Sequence, residues 1–241
     1  MIVIPMVGMS SRFFNAGYNK PKYMLEIDGK SVFSLAVESF KSYFESDSFL
    51  FVVRSDFDAA KFVRCEAERL GLLDFDVVVI DGSTRGQAET VALGLQAMSD
   101  ISDEELIIFN IDTFRPGYKK PDFASDVCGY LETFIGSGSN WSNVEPADLG
   151  SNVVKRTAEK QSISEFCCTG LYFWRSADCY LRIYDEYAKS DARELDGGEL
   201  YVAPMYNICI RDGGDIRFTV IDESEVIFCG TPDEYERLLL K

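Results

Sequence analysis

Residues 5–24 read PMVGMSSRFFNAGYNKPKYM and follow the short apolar run Ile2, Val3, Ile4. An apolar strand that runs into a loop of Gly, small hydroxyl residues and isolated bases is how a phosphate-holding turn is built. Gly8 is free of the steric limits other residues meet, and Ser10 and Ser11 are small enough to let successive backbone N–H groups turn toward bound oxygens. The charge pattern agrees. The 241-residue chain holds 40 Asp and Glu against 24 Lys and Arg, yet residues 1–25 contain no acid and do contain Arg12, Lys20 and Lys22. An electropositive pocket kept in a protein of net charge −16 implies a polyanionic ligand. Neither G-x-x-x-x-G-K-[ST] nor G-x-G-x-x-G occurs in this stretch, so it is neither a Walker loop nor the dinucleotide fingerprint.

Outward from the loop, apolar periodicity alternates between strand and helix. Ser31 is placed to cap a helix carrying Val32, Leu35, Ala36, Phe40, Tyr43 and Phe44 on one face, and Phe49 to Val53 follows as a strand. Ala59, Phe62, Val63, Ala67 and Leu70 mark a second helix closed by Gly71. Val77 to Ile80 is a continuous apolar run of the kind a parallel strand buried on both faces shows. A helix over 87–98 and a strand at 106–109 complete the series. Four such alternations predict an α/β fold with a three-layer, Rossmann-like and mainly parallel sheet, whose ligands bind at the carboxyl ends of the strands. From Asp126 the strands shorten, at 127–134, 141–145, 153–156 and 166–174, which predicts a small antiparallel lobe. Helices are expected at 176–188 and 199–211, strands at 216–221 and 226–228. Thr231-Pro232-Asp233-Glu234 is a capping box that starts a last helix.

Composition narrows the function classes. No apolar run approaches the about 18 residues a spanning helix needs, and Met1-Ile2-Val3-Ile4 has no basic leader or cleavage site, so a cytoplasmic location is expected. Seven irregularly spaced cysteines argue for reduced thiols, and Cys167-Cys168 reads as strand packing. The chain contains no histidine. That excludes Ser-His-Asp and Cys-His catalysis and leaves oxygen ligands for any metal, which favours a hard ion such as magnesium. The net charge argues against a nucleic-acid groove or an anionic membrane as partner.

Val7-Gly8-Met9-Ser10-Ser11-Arg12 followed by Pro21-Lys22 resembles the A-G-x-G-x-R and P-K signature of nucleotidylyltransferases that activate sugar 1-phosphates, with Ser10 at the family's second Gly. Four further stretches match that family in order. Gly86-Gln87-Ala88-Glu89-Thr90 resembles its base-reading loop, and Asn110-Ile111-Asp112 its metal-binding Asp after a strand. Glu159-Lys160 and then Thr169-Gly170-Leu171-Tyr172 resemble its E-K and G-x-Y acceptor elements, and Gly230-Thr231-Pro232 its tail motif. Read singly, each has an ordinary structural explanation: a surface turn with solvated bases, a helix cap, an Asp opening a turn, a solvated charge pair. Their order along residues 3–235 carries the resemblance, which is to small single-domain members of the capsule and polysaccharide-precursor type.

The resemblance implies one domain over residues 1–241, with a nucleotide-binding half at 1–125 and an acceptor-binding half at 126–241. It implies transfer of a nucleotidyl group from an NTP to a sugar 1-phosphate with release of pyrophosphate. Its partners are then small molecules, and the oligomeric state, a homodimer included, stays open. Arg12 would hold the departing pyrophosphate and Lys22 offset charge at the α-phosphate, while Val7, Gly8, Met9, Ser10, Ser11, Gly86 and Gln87 hold the nucleotide. Lys160, with Glu159, Gly170 and Glu199, would meet the acceptor. Asp112 would carry Mg2+, and Asp222 is the nearest upstream carboxylate to the place of a second metal-binding Asp, a place Phe228 occupies. Alternatives are a cytidylyltransferase for a non-sugar phosphate such as phosphocholine or an amino-acid phosphate, and a non-catalytic regulatory or scaffold homologue. A glycosyltransferase is disfavoured, since 110–112 supplies one carboxylate where those enzymes show a D-x-D pair.

Overall fold

The structure is a computed structural model that describes residues 1–101, 103–191, 195 and 198–240. The N-terminal part runs β1 (Ile2–Met6), α1 (Ser11–Asn15), a short hairpin of β2 (Glu26–Ile27) and β3 (Lys30–Ser31), α2 (Val32–Val37), β4 (Phe49–Arg54), α3 (Ala59–Leu70), β5 (Phe75–Ile80), α4 (Gln87–Gln96), β6 (Leu106–Phe109) and β7 (Thr113–Phe114). It continues through β8 (Gly129–Ile135), β9 (Ser142–Pro146), β10 (Val154–Glu159), β11 (Phe166–Trp174), α5 (Ala177–Tyr187), α6 (Met205–Arg211), β12 (Ile216–Ile221), β13 (Ile227–Phe228) and α7 (Pro232–Leu239).

Strands β5, β4, β1 and β6 lie side by side in parallel, so the loops after β1, β5 and β6 all open at one edge. The expected antiparallel strands do form, and they extend the same nine-stranded sheet. β11 pairs antiparallel with β6, and β8, β9 and β10 build outward from β11. β11 is irregular between Cys168 and Tyr172, where Gly170 takes φ +94°. A bulge of this kind re-aims the strand beside the loop that leaves β6.

One core cluster lies under α2 and α3 and joins Phe33, Phe40, Phe51 and Phe109. The other lies under α4, α5 and α6 around Trp174, Tyr180 and Tyr206. β4 is buried throughout, as its unbroken Phe49-Leu50-Phe51-Val52-Val53 run demands. β5 departs from expectation. It is the edge strand, with Val79 47% exposed, because among the described residues no further strand covers the outer side of Val77 to Ile80. One 3-10 turn, Lys22–Met24, precedes β2. The helix expected from 199 begins only at Met205, because Leu200 is pinned in extended form: its N–H donates to Arg85 O and its carbonyl accepts from Ala88 N, both at 2.9 Å. Thr231 caps α7 with the reciprocal Glu234 box that the sequence spells. Among the described residues no helix is long and apolar enough to cross a membrane.

Candidate active site

A cleft of about 660 Å³ opens along the carboxyl edge of β1 and β6 and continues over β11. The loop after β1 forms one wall. Ser10, not Gly8, is its special residue: Ser10 sits in the left-handed region at φ 49°, while Gly8 does not take a positive φ and faces open space. A Gly would take the Ser10 conformation without a Cβ penalty. Here the serine side chain supplies compensation, since its hydroxyl accepts a hydrogen bond from Lys22 N at 3.2 Å and thereby ties the loop to the Pro21-Lys22 turn. The Ser10 carbonyl accepts from Phe13 N and Phe14 N and so starts α1, which carries Arg12 at the mouth of the cleft. Arg12 makes no ion pair with any described residue and is free to meet an anion.

Lys22 projects from that turn and places its ammonium 2.5 Å from the Asp112 carboxylate; both side chains are about four-fifths buried. Arg12 and Lys22 from the loop after β1 and Asp112 after β6 therefore line one cavity. Asp112 is held by its backbone, its carbonyl accepting from Cys229 N at 2.8 Å, and a Cβ built on Gly230 would stand 2.9 Å from its carboxylate oxygen. The tail motif is thus the packing surface for this carboxylate, with the Gly230 and Thr231 N–H groups donating to Glu234.

The loop after β5 forms another wall of the cleft. Gly86 takes φ +148°, and a Cβ there would strike the Leu200 backbone at 2.5 Å, so only glycine lets the loop pack against the 199–204 segment. Gln87 donates its amide to the Asn110 side-chain carbonyl at 2.5 Å. Asn110 is a site residue that in sequence reads only as a missing carboxylate. It also donates its backbone N–H to Gly170 O at 3.1 Å, and a Cβ on Gly170 would meet its amide nitrogen at 2.4 Å.

At the far end stand Glu159 and Lys160. Glu159 closes β10 and is 6% exposed, accepting a hydrogen bond from the Ser142 hydroxyl. Lys160, at φ 54°, swings its ammonium onto the Tyr201 hydroxyl and over the Tyr201 ring, 4.5 Å from the centroid. Burial works to lower the Lys160 pKa, but that hydrogen bond and the neighbouring Glu159 and Glu199 raise it on balance, so the side chain stays cationic. Glu199 lines the cleft beside Tyr201. Trp141 and Phe228 line the cleft as well; Phe228 stands at the place where the resemblance expects a second Asp, while nothing in the sequence context of Trp141 signals a part in the site.

Asp222 is a correction. It lies outside the cleft, exposed, where its carboxylate caps the turn 223–225 by accepting from Ser224 N at 2.9 Å. Hydrogen bonds from the Ser224 hydroxyl and N–H hold its carboxyl below the usual range. Of the two carboxylates expected at a metal, only Asp112 lines the cleft. Among the described residues no group of three or more metal-ligating side chains is arranged around an ion. That is compatible with magnesium, which takes one or two carboxylates and completes its shell with water and substrate phosphates. In this structure the Lys22 ammonium occupies that carboxylate.

No family model and no curated protein sequence matches the chain. Solved structures do. The nucleoside-diphosphate-sugar pyrophosphorylase from Vibrio cholerae RC9 is 49% identical over the whole of both chains, with a TM-score of 0.95. The chain belongs to the sugar-1-phosphate nucleotidylyltransferase family. It is therefore a nucleotidyltransferase enzyme of that family's fold. More distant members of the fold include a putative glucose-1-phosphate thymidylyltransferase from Bacillus anthracis, at 15% identity over 99% of this chain and 93% of that one with TM-score 0.74. The inositol-1-phosphate CTP transferase from T. maritima is another, at 14% over 100% and 94% with TM-score 0.72.

Proposed function

We propose that this nucleotidyltransferase joins the α-phosphate of an NTP to the phosphate of a small acceptor, of the sugar 1-phosphate class, forming a nucleotide-linked product and pyrophosphate. The observation that carries this reading is the convergence of Arg12, Lys22 and Asp112 on one cleft whose other end holds Glu159 and Lys160. An acceptor phosphate oxygen attacks the α-phosphorus, the bond to the bridging oxygen of the β-phosphate breaks, and pyrophosphate leaves. A phosphate monoester is already anionic near neutral pH, so no general base is required, which suits a chain without histidine. What the chain supplies is alignment and charge neutralisation.

Arg12 holds the departing pyrophosphate, and the backbone of residues 7–11 turns around the nucleotide phosphates. Lys22 offsets charge at the α-phosphate, drawn from Asp112 as the phosphate competes for it. Gln87 and Gly86 lie where the base is held, and Lys160 steers the acceptor phosphate. Asp112 would hold magnesium, which, when bound, neutralises the nucleotide phosphates. Likeness to the Vibrio cholerae nucleoside-diphosphate-sugar pyrophosphorylase supports an NDP-sugar product, and the inositol-1-phosphate CTP transferase keeps a non-pyranose acceptor in view. In this reading the product is an activated precursor made in the cytoplasm for surface-polysaccharide assembly.

The test is pyrophosphate release by the purified enzyme with magnesium, over the common nucleoside triphosphates crossed with phosphate acceptors. Release that needs one nucleotide and one acceptor class is the expected result. No release in any combination, with the fold intact, points instead to a regulatory or scaffold homologue.

A further inference from the structure

Three of the seven cysteines converge from separate elements: Cys128 just ahead of β8, Cys179 on α5 and Cys209 on α6. A Cβ built on Gly214 would stand 2.4 Å from the Cys209 Sγ and 3.5 Å from the Cys128 Sγ, so these two sulfurs flank one point. The Cys179 and Cys209 side chains are hydrogen-bonded to each other across the two helices. α5 packs on α6, and two ion pairs join them, Arg182 to Asp212 at 3.4 Å and Glu186 to Arg211 at 2.5 Å. Cys179, Arg182 and Glu186 recur at helical spacing, so one stripe of α5 makes all of these contacts. Among the described residues no group of three metal-ligating side chains is arranged around an ion, which leaves thiol chemistry as the use of this cluster.

The two hydrogen-bonded thiols differ in the way a reactive pair requires. Cys179 is half-buried and lies in the first turn of an 11-residue helix, where unpaired backbone N–H groups and the macrodipole favour a thiolate. The Cys209 S–H donates to it, and the Arg182 guanidinium adds its charge. Together these outweigh burial and the Asp212 carboxylate and hold the Cys179 thiol well below its ordinary value. Cys209 is buried, and the same hydrogen bond together with burial pushes its thiol up, so it keeps its proton. A thiolate that solvent reaches, beside a thiol that holds its proton, is the arrangement of an attacking and a resolving cysteine. Cys167, Cys168 and Cys229 are buried, and burial pushes each of their thiols up and away from reactivity.

We infer that Cys179 and Cys209 form a site of oxidative modification that closes to a disulfide when hydrogen peroxide reaches Cys179. The Cys179 thiolate attacks one peroxide oxygen, the O–O bond breaks and hydroxide leaves, which oxidises the sulfur to a sulfenic acid. The Cys209 sulfur then attacks the Cys179 sulfur. The S–O bond breaks, the hydroxyl departs with the Cys209 proton as water, and an S–S bond forms. Overall two thiols give up two electrons and two protons, and the peroxide becomes two molecules of water. The bond joins a helix that holds α4, through the Tyr184 hydroxyl to Glu89 at 3.2 Å, to a helix that holds β10, through the Asn207 amide to Thr157 O at 2.9 Å.

The experiment treats the reduced enzyme with hydrogen peroxide, quenches it by alkylation in denaturant and maps its peptides by mass spectrometry. The peptides bearing Cys179 and Cys209 are expected to appear linked, two hydrogens lighter than their sum, and dithiothreitol is expected to release them. Cys179 is expected to be consumed at least about tenfold faster than Cys65, which is exposed and so controls for access alone. Cys209→Ser is expected to stop at a sulfenic acid on Cys179, captured by dimedone, and Cys179→Ser to leave Cys209 reduced. Faster oxidation of Cys65, a link that uses Cys128, a sulfinic acid on Cys179 with Cys209 still reduced, or no link at all each overturn the inference. The map of the unsubstituted enzyme decides the pairing even where a serine variant does not fold.

Discussion

At the scale of single residues, the site is held by backbone placement, so its charged side chains can be removed without unravelling it. Lys22 keeps its N–H on the Ser10 hydroxyl and Asp112 keeps its carbonyl on Cys229 N whatever their side chains are. Lys22→Ala and Asp112→Ala are therefore expected to lower turnover about a hundredfold while the melting temperature moves little, with steady-state pyrophosphate release and calorimetry as the paired readouts. Near-normal turnover in either variant removes that residue from the mechanism. Gly170→Ala is the opposite case. Its Cβ would sit 2.4 Å from the Asn110 amide at φ +94°, so a stability loss of about 1–3 kcal/mol is expected together with lost activity. Arg12, Lys22, Asp112 and Lys160 are legible in sequence because charge at a strand end or after a motif is visible in one dimension. The same reading assigns Gly8 the role that Ser10 holds, because a left-handed serine compensated by a hydroxyl bond twelve residues away leaves no composition signal. The contact between Trp141 and Phe228 is hidden for the same reason: it exists only once β13 meets the chain just ahead of β9.

At the scale of elements, the bulge in β11 is braced from behind by a buried ion pair. The Arg115 Nε, after β7, donates to both Glu132 oxygens, at 3.2 and 3.1 Å, and Thr169 in the bulge donates to the same carboxylate at 3.1 Å. Both charged residues are more than nine-tenths buried. Burial raises the Glu132 pKa, opposed by Arg115 and by the Arg115 and Thr169 hydrogen bonds, and the net shift is upward. Removing the cation leaves a buried, unpaired carboxylate, so Arg115→Met is expected to cost about 3–5 kcal/mol at pH 7. The direction with pH follows from the raised pKa. The folded variant holds the Glu132 proton more tightly than the unfolded chain does. The deficit is therefore smallest below the ordinary carboxylate range and grows as pH rises through the folded-state pKa. Denaturant midpoints between acid and neutral pH check this, and a deficit that is flat with pH contradicts it. The periodicities of α3, α4 and α5 are legible because each buries one face on the sheet. The start of α6 is not, since the Leu200 pin to Arg85 and Ala88 overrides a helical pattern that local sequence alone supports.

At the scale of the whole molecule, a net charge of −16 must coexist with the capture of a polyanionic nucleotide. The acid-free stretch 1–25 answers this locally, but fields act over the Debye length, about 30 Å at 0.01 M salt and about 10 Å at 0.1 M. At low salt the approaching triphosphate feels the acidic body as well as Arg12 and Lys22, and the net repulsion slows encounter. Raising salt to about 0.1 M screens the distant acids first and leaves the bases at the cleft mouth in command, so kcat/KM for the nucleotide should rise. Above a few tenths molar the attraction of the bases themselves is screened, and kcat/KM should fall again. A salt titration at fixed free magnesium, with a non-coordinating anion, measures this directly. A maximum at intermediate salt is expected, and its position should shift to higher salt in Arg12→Ala, where less local attraction opposes the acidic body. A monotonic fall from the lowest salt would mean that the cleft bases dominate at every distance and that the acidic surface plays no part in nucleotide capture.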